Sequence, residues 1–195
     1  MVIGLTGGIG SGKTTVAKLF EVMGCAVYSS DERAKDVYFN ADVKQQVIDL
    51  LGKEAYKNEQ EINRNFISSK VFADTTLLQK LNSIIHPAVK TDFIQFVNHY
   101  AAHQLIIKES AILFETGIYK DLEKTILVIS PLELKIKRLM QRNSFSREEI
   151  EKRMSAQWGD EQKTALADFV ITNDDTKALI PQVNEIILKL SHAQA

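Results

Sequence analysis

The chain has 195 residues, with 24 Lys and Arg against 25 Asp and Glu, so its formal net charge is -1. This length fits one domain with its own core, and the balanced charge offers no general attraction for nucleic acid. A single cysteine, Cys25, excludes an internal disulfide and a multi-cysteine metal site. We expect a cytoplasmic protein with no signal peptide, no membrane span and no obligate protein partner.

Short apolar runs rich in Val, Ile and Leu alternate with helical stretches along the chain. The predicted strands are residues 2–6, 26–29, 105–108, 125–129 and 169–172. Runs of this kind are typical of strands that are buried on both faces. The sequence therefore predicts an α/β fold with a parallel five-stranded sheet flanked by helices.

Three of the helices have clear boundaries or faces. Apolar residues spaced about 3.6 apart follow the first strand, and Gly24 ends that helix. Ser146 and Glu149 form a predicted capping box that opens a helix over 147–158. A last amphipathic helix is predicted over 177–190. The apolar faces of these helices are expected to pack on the sheet.

Between the second and third strands lies a long insertion, residues 40–103, which the pattern predicts to be several helices. An insertion of this size usually covers a ligand, and we treat it as part of a single domain spanning residues 1–195. Residues 49–52 match the D-x-x-G motif of GTPases. They fall in a predicted helix over 43–51 rather than after a strand, so we interpret the match as accidental.

The segment between the first strand and the first helix reads Gly-Gly-Ile-Gly-Ser-Gly-Lys-Thr and satisfies G-x-x-x-x-G-K-[ST]. Glycines let the backbone turn successive N–H groups toward phosphate oxygens, and the helix N-terminus adds a favourable dipole. Lys13 supplies a point charge, and the Thr14 hydroxyl can bind Mg²⁺. The predicted ATP-binding residues of this loop are Gly8, Gly10, Ser11, Gly12, Lys13, Thr14 and Thr15. A chance glycine-rich turn would not require a strand before it and a helix after it.

The loop alone does not say which phosphate chemistry the chain performs. If the chain is a kinase, it also needs a base for the acceptor hydroxyl and cations for the transferred phosphate. Asp31 follows the second strand and can be that base, or it can cap a helix over 32–38. Arg138 and Arg142 lie four residues apart on one predicted helix and can close on ATP from a helical lid, residues 138–160. The alternative is a solvated charged face.

Two further positions are candidates for ligand contacts. His86 precedes Pro87, which predicts a helix start at this point, and His86 can be a surface cap or a ligand contact. Glu109 ends the apolar run of the third strand, which suits an acid near Mg²⁺ or the acceptor. The four histidines are scattered and do not predict a metal cluster.

Taken in order, these motifs resemble the dephospho-CoA kinases over nearly the whole chain. The matching elements are the loop with Lys13, Asp31, His86-Pro87, Leu113-Phe114-Glu115, Arg138 with Arg142, Arg153, Gln157, Ala167-Asp168 and Asn173. The resemblance implies transfer of the ATP γ-phosphate to the ribose 3′-hydroxyl of dephospho-CoA, and it implies a P-loop NTPase-like fold.

The resemblance also assigns roles to single residues. It makes Asp31 the base, Lys13, Arg138 and Arg142 catalytic cations, and Asn173 a contact of adenine. It places acceptor contacts in the insertion, at His86, and in the Leu113-Phe114-Glu115 segment, which is expected to line the acceptor cleft together with Glu109. Arg153 is the expected charge partner of the lid or the nucleotide.

The chain departs from the family pattern at two places. Ser29-Ser30-Asp31 stands where the family usually has Asp-Ala-Asp, so Asp31 acts without a first carboxylate. Glu109 replaces an aspartate in the segment before Leu113, which also lacks the family's proline. Two other functions stay open: a kinase of another nucleoside or sugar alcohol, and a nucleotide-gated ATPase that serves as a binding module.

Overall fold

The computed structural model describes residues 1–143 and 145–192. The strands in this part of the chain are β1 (Val2–Thr6), β2 (Ala26–Ser29), β3 (Tyr56–Asn58), β4 (Glu61–Ile62), β5 (Ile106–Glu109), β6 (Lys124–Ile129) and β7 (Phe169–Thr172). Its α-helices are α1 (Lys13–Val22), α2 (Ser30–Asp36), α3 (Ala41–Leu51), α4 (Arg64–Ala73), α5 (Thr75–His99), α6 (Leu132–Asn143), α7 (Arg147–Met154), α8 (Asp160–Thr164) and α9 (Leu179–His192).

Backbone contacts divide the chain into two compact units. One unit is Ser30–His99, and the other combines Met1–Ser29 with the chain from Tyr100 onward. We call them the helical unit and the sheet unit. The single-domain organisation and the 40–103 boundaries of the insertion stay predictions. No helix in the described ranges has the length and apolar character needed to cross a bilayer.

The sheet unit is built on five parallel strands in the order β2, β5, β1, β6, β7. This confirms the predicted parallel five-stranded sheet. Because β1 is central and the strands are parallel, all their carboxyl ends meet at one edge. The loop that follows β1 therefore begins in the middle of that edge, which is where ligands of such sheets bind.

The core of the sheet unit explains why β1 and α1 form where the sequence predicts them. Ile3 and Leu5 of β1 and Val16 and Phe20 of α1 are completely buried in one cluster. Burial of each such side chain contributes about 1.5–3 kcal/mol relative to exposure. This packing fixes both ends of the segment between them, so the loop over residues 7–12 starts and ends on rigid elements.

The helical unit contains α2 to α5 and a hairpin of β3 and β4. Its core is a separate cluster that includes Val47 of α3 and Leu81 and Ile85 of α5. The insertion is thus mainly helical, as the sequence predicts. The D-x-x-G match begins at Asp49 inside α3 and ends at Gly52, the C-cap of that helix, so it does not follow a strand.

The predicted helix start at Pro87 is wrong, because Pro87 lies inside the 25-residue helix α5. Proline in a helix interior costs about 3 kcal/mol, since its ring removes a hydrogen bond and crowds the preceding turn. Leu81 and Ile85 before Pro87 and Ala88 and Val89 after it all pack in the core of the helical unit. Burial on both sides of the proline outweighs its local cost.

Other helices also differ from the predictions in their boundaries. The helix predicted over 147–158 ends at Met154, although its capping box of Ser146 and Glu149 is present. The helix predicted over 32–38 is Ser30–Asp36, so Asp31 lies in its first turn instead of flanking it. The last helix runs from Leu179 to His192, two residues later than predicted at each end.

Candidate active site

The loop after β1 has the backbone geometry of a phosphate cradle. Gly10 and Gly12 have φ angles of 81° and 91°, which L side chains rarely adopt. A Cβ on Gly10 would meet the carbonyl oxygen of Lys135 at 2.9 Å, and a Cβ on Gly12 would overlap the amide nitrogen of Asn173. Glycine is therefore required at both positions, for conformation and for space.

Polar groups of the loop are arranged for an anion. The Ser11 hydroxyl is completely buried and has no hydrogen-bond partner within the described residues. Gly12 occupies the cap position of α1 and has no side chain with which to bind the first N–H groups of that helix. Lys13 is half-buried, whereas Thr14 and Thr15 are exposed at the helix start. This set of donors suits a polyphosphate.

Asn173, which follows β7, and Arg138 of α6 support the loop. The Asn173 side chain is buried, and its amide nitrogen donates to the Ser11 carbonyl at 2.8 Å. The Arg138 guanidinium donates to the Asn173 side-chain oxygen at 3.1 Å and also pairs with Asp175. Both residues predicted to contact nucleotide thus lie at the loop. Their contacts show a supporting role, and their contact with adenine or phosphate stays a prediction.

The other two predicted arginines lie on the surface of the same region. Arg142 is exposed near the end of α6, one turn after Arg138, as the four-residue spacing predicts. Arg153 of α7 stacks on the Phe145 ring, with 4.3 Å between its guanidinium carbon and the ring centroid. The structure does not test their contact with a substrate.

Ser29 and Glu109 lie side by side at the carboxyl edge of the sheet. They are register partners at the ends of β2 and β5, and the Ser29 hydroxyl donates to the Glu109 carboxylate at 2.9 Å. Glu109 is only 5% exposed. Ser29, which stands where the family usually has the first aspartate of Asp-Ala-Asp, therefore donates a hydrogen bond to Glu109, which replaces the aspartate of the segment before Leu113.

Leu113 and Phe114, which the family resemblance assigns to the acceptor cleft, are buried side chains. Leu113 is fully buried beneath β1, where a Cβ on Gly4 would meet its side chain at 2.6 Å. Phe114 packs edge-to-face on Tyr119 with ring centroids 5.1 Å apart. Both side chains have a packing role, and a contact with the acceptor stays a prediction.

Glu115 forms a charged cluster with Trp158 and Lys163, which we call the Glu115 cluster. The completely buried Lys163 ammonium pairs with the Glu115 carboxylate at 2.8 Å. The Trp158 backbone N–H donates to the same carboxylate at 3.0 Å. Burial alone would raise the pKa of Glu115, but these donors outweigh it and the pKa is lowered. The carboxylate therefore anchors the chain between α7 and α8.

Sequence reasoning missed Lys135, Asp160 and Lys163, and it gave Gln157 no role. Lys135 and Asp160 form an ion pair at 2.7 Å, and Gln157 accepts the Ile9 N–H at 2.9 Å. Their spacing in the sequence carries no motif. Lys135, Asp160 and Gln157 are revealed only by their convergence on the loop, and Lys163 only by its ion pair with Glu115.

Asp31 and His86 belong to the helical unit. Asp31 is exposed in the first turn of α2, two residues after the end of β2. His86 is exposed in the middle of α5. A carboxylate in the first turn is stabilised by the helix dipole. The part of the chain that the structure describes contains no group of three or more His, Cys, Asp or Glu side chains that could hold a metal ion.

Comparison with known proteins decides between the families that share such a loop. The family described as CoaE, Dephospho-CoA kinase, matches residues 1–178. This chain belongs to the dephospho-CoA kinase family. The family resemblance seen in the sequence is thereby confirmed, and so is the conclusion that the chain is an ATP-dependent kinase.

Individual dephospho-CoA kinases are similar over almost the full length. The Dephospho-CoA kinase of Bacteroides fragilis (strain YCH46) is 42% identical, covering 95% of this chain and 90% of that protein. The Dephospho-CoA kinase of Chlorobium chlorochromatii is 36% identical, covering 97% and 93%.

Solved structures agree with the sequence comparison. The Dephospho-CoA kinase from Campylobacter jejuni has a TM-score of 0.73 and 25% identity, covering 100% of this chain and 98% of that one. A protein from Thermus thermophilus has a TM-score of 0.87 and 31% identity, covering 97% and 96%. The P-loop kinase fold is confirmed.

Proposed function

We propose that the chain transfers the γ-phosphate of ATP to the ribose 3′-hydroxyl of dephospho-CoA and produces CoA and ADP. The observation that carries this proposal is the phosphate loop over residues 7–15 in a chain of the dephospho-CoA kinase family. The loop accounts for the phosphate donor, and the family accounts for the acceptor. We also propose that the reaction takes place in the cytoplasm, without nucleic acid or an obligate protein partner.

The loop residues hold the phosphates by the physical chemistry of their backbone. The α1 N-terminus and the buried Ser11 hydroxyl provide donors, and Lys13 adds a positive charge for the β- and γ-phosphates. Arg138 and Arg142 are proposed to neutralise the charge that spreads over the transferred group. Asn173 keeps the loop in shape by its bond to the Ser11 carbonyl and is proposed to contact adenine.

Mg²⁺ fits the oxygen donors near the loop. Thr14 is exposed at the start of α1, and Glu109 supplies a carboxylate at the sheet edge. A Mg²⁺ ion typically keeps waters and binds one or two protein oxygens plus the substrate phosphates. When bound, it would neutralise charge on the β- and γ-phosphates. We propose Thr14 as its protein ligand.

Asp31 is the proposed general base for the ribose hydroxyl. Asp31 is exposed, and it is the carboxylate of the segment Ser29-Ser30-Asp31. Removal of a general base typically costs 10²–10⁴ in rate. The proposed acceptor contacts are His86, Glu109, Leu113, Phe114, Glu115 and Arg153.

The direct test is a reaction of the purified chain with ATP, Mg²⁺ and dephospho-CoA. We expect ADP and CoA in equal amounts, with phosphorus NMR showing a new 3′-phosphomonoester. Adenosine, AMP and a sugar alcohol serve as alternative acceptors in parallel reactions. Turnover with one of these and none with dephospho-CoA would reject the proposed acceptor while leaving the ATP site intact.

The role of Asp31 is tested by Asp31→Asn, with Asp36→Asn as the matched control on the same helix. Both aspartates are exposed on α2. For Asp31→Asn we expect kcat to fall by about 10² or more with ATP affinity nearly unchanged. Asp36→Asn should leave kcat unchanged. Equal kcat values for the two variants would remove Asp31 from the mechanism.

A further inference from the structure

Lys135 is a buried cation that the proposed reaction leaves unassigned. Its side chain is 11% exposed, whereas Lys137, two residues later on the same helix α6, is exposed. Burial of an ammonium group is costly unless an anion compensates it. The amphipathic pattern of α6 therefore does not explain why Lys135 is buried.

The burial of Lys135 places it against the phosphate loop. Its ammonium nitrogen lies 3.7 Å from the position of a Cβ built on Gly8. The Lys135 carbonyl oxygen lies 2.9 Å from the position of a Cβ built on Gly10. The Ile9 side chain packs on the cluster of Ile136, Leu139 and Ile150 that joins α6 and α7. This stretch of α6 and the loop thus form one packed surface.

Two more polar side chains converge on the same point. Asp160 holds the Lys135 ammonium at 2.7 Å, and its other oxygen lies 3.6 Å from the Cβ position of Gly8. The Gln157 side-chain oxygen accepts the Ile9 N–H at 2.9 Å. A cation, its counter-ion and a neutral acceptor therefore surround the first half of the loop.

We propose that Lys135 is a further phosphate-binding residue of the ATP site and that Asp160 is the counter-ion from which the nucleotide withdraws it. This inference rests on the proposed binding of ATP in the loop. The terminal phosphate of ATP carries more negative charge than one carboxylate, so it competes well for the ammonium group. Gln157 is a positioning residue, because it holds the loop at Ile9 without needing to touch the nucleotide.

A purely structural ion pair makes the opposite prediction for Asp160. If Lys135 and Asp160 only join α6 to α8, removal of either partner breaks the same contact, and both changes should act alike. If Lys135 binds phosphate, removal of Asp160 eliminates a competitor for the ammonium group. The two variants then shift ATP affinity in opposite directions.

The experiment measures dissociation constants for ATP and AMP by titration of the folded protein in the wild type, three test variants and one control variant. For Lys135→Met we expect ATP binding to weaken by about tenfold or more, the usual effect of losing a hydrogen bond to a charged group. AMP binding should stay within about twofold. Lys135→Arg should restore most of the ATP affinity. Asp160→Asn should bind ATP as well as the wild type or tighter.

The control is Lys137→Met, which removes an exposed lysine from the same helix and should leave both constants unchanged. If Lys135→Met does not fold, Lys135→Gln takes its place in the comparison. Unchanged ATP affinity in the Lys135 variant, or equal weakening in the Lys135 and Asp160 variants, overturns the inference. A wild-type protein that binds no ATP would instead overturn the proposed function.

Discussion

The phosphate loop and the Glu115 cluster both lie in the sheet unit, but they depend on different parts of the chain. The loop is one contiguous segment, and its chemistry comes from backbone N–H groups that glycines orient. In the Glu115 cluster, the Glu115 side chain binds the Trp158 backbone N–H, 43 residues further along the sequence, and the Lys163 side chain beyond it. The comparison shows that a site built from contiguous backbone can be recognised in the sequence, whereas a cluster of distant groups cannot.

The largest expected effect is on the Glu115 cluster. Lys163→Met leaves the Glu115 carboxylate without its buried partner, so we expect the free energy of unfolding to fall by about 3–5 kcal/mol. Denaturant unfolding measures this change. The double variant Lys163→Met with Glu115→Gln should recover part of the loss, because no unpaired charge remains. A double variant that is less stable than the single one would show that the ion pair between Lys163 and Glu115 does not account for the loss.

A smaller effect, but one on binding, is expected at the loop. Gly12→Ala adds a Cβ that overlaps the Asn173 amide, at a φ angle of 91°. ATP affinity should fall by roughly 10²-fold, since strain of about 1–3 kcal/mol adds to the displaced amide. Gly24→Ala is the matched control, because its φ angle is 89° and its Cβ position is open. It should lose stability but keep ATP affinity, and equal losses of affinity would contradict the contact with Asn173.

Asp168 offers a pH test of the long-range contacts. It accepts from the Thr125 N–H and hydroxyl and pairs with Lys124. Burial alone would raise the pKa of Asp168, but these donors lower it. Its contribution to stability is therefore complete above the unfolded pKa of about 3.9 and is lost as pH falls through the folded pKa.

For Asp168→Asn we expect a loss of about 1–2 kcal/mol in the free energy of unfolding at pH 7. The difference from the wild type should shrink as pH falls below about 4. Unfolding curves at several pH values measure this difference. A gap that stays constant from pH 7 to pH 3 would show that the charge of Asp168 does not matter.

The smallest effect concerns Cys25, which lies in the core beside α1. Burial raises the pKa of its thiol to about 11, so little thiolate exists at neutral pH. Alkylation by iodoacetamide at pH 8 should be at least about 100-fold slower in the folded protein than in denaturant. Fast alkylation of the folded protein would show that the core around Cys25 opens readily.

Much of the fold could be predicted from the sequence because its signals are local. The five buried strands, the capping box at Ser146 and the glycine-rich loop each depend on a few neighbouring residues. The helix around Pro87 was predicted wrongly for the same reason, since a local rule was applied where burial on both sides decides. The family motifs identified the kinase, but they did not say which of its residues are buried supports.

The sequence by itself determined the class of fold, the phosphate loop and the family of the chain. Only the tertiary structure decided that the Asn173 amide holds Ser11 across 162 residues, that Glu115 pairs with Lys163, and that Lys135 faces Gly8. The physical reason is that a turn or a strand depends on short-range backbone preferences. The partner of a buried charge depends on which distant segments the folded sheet brings within a few ångströms.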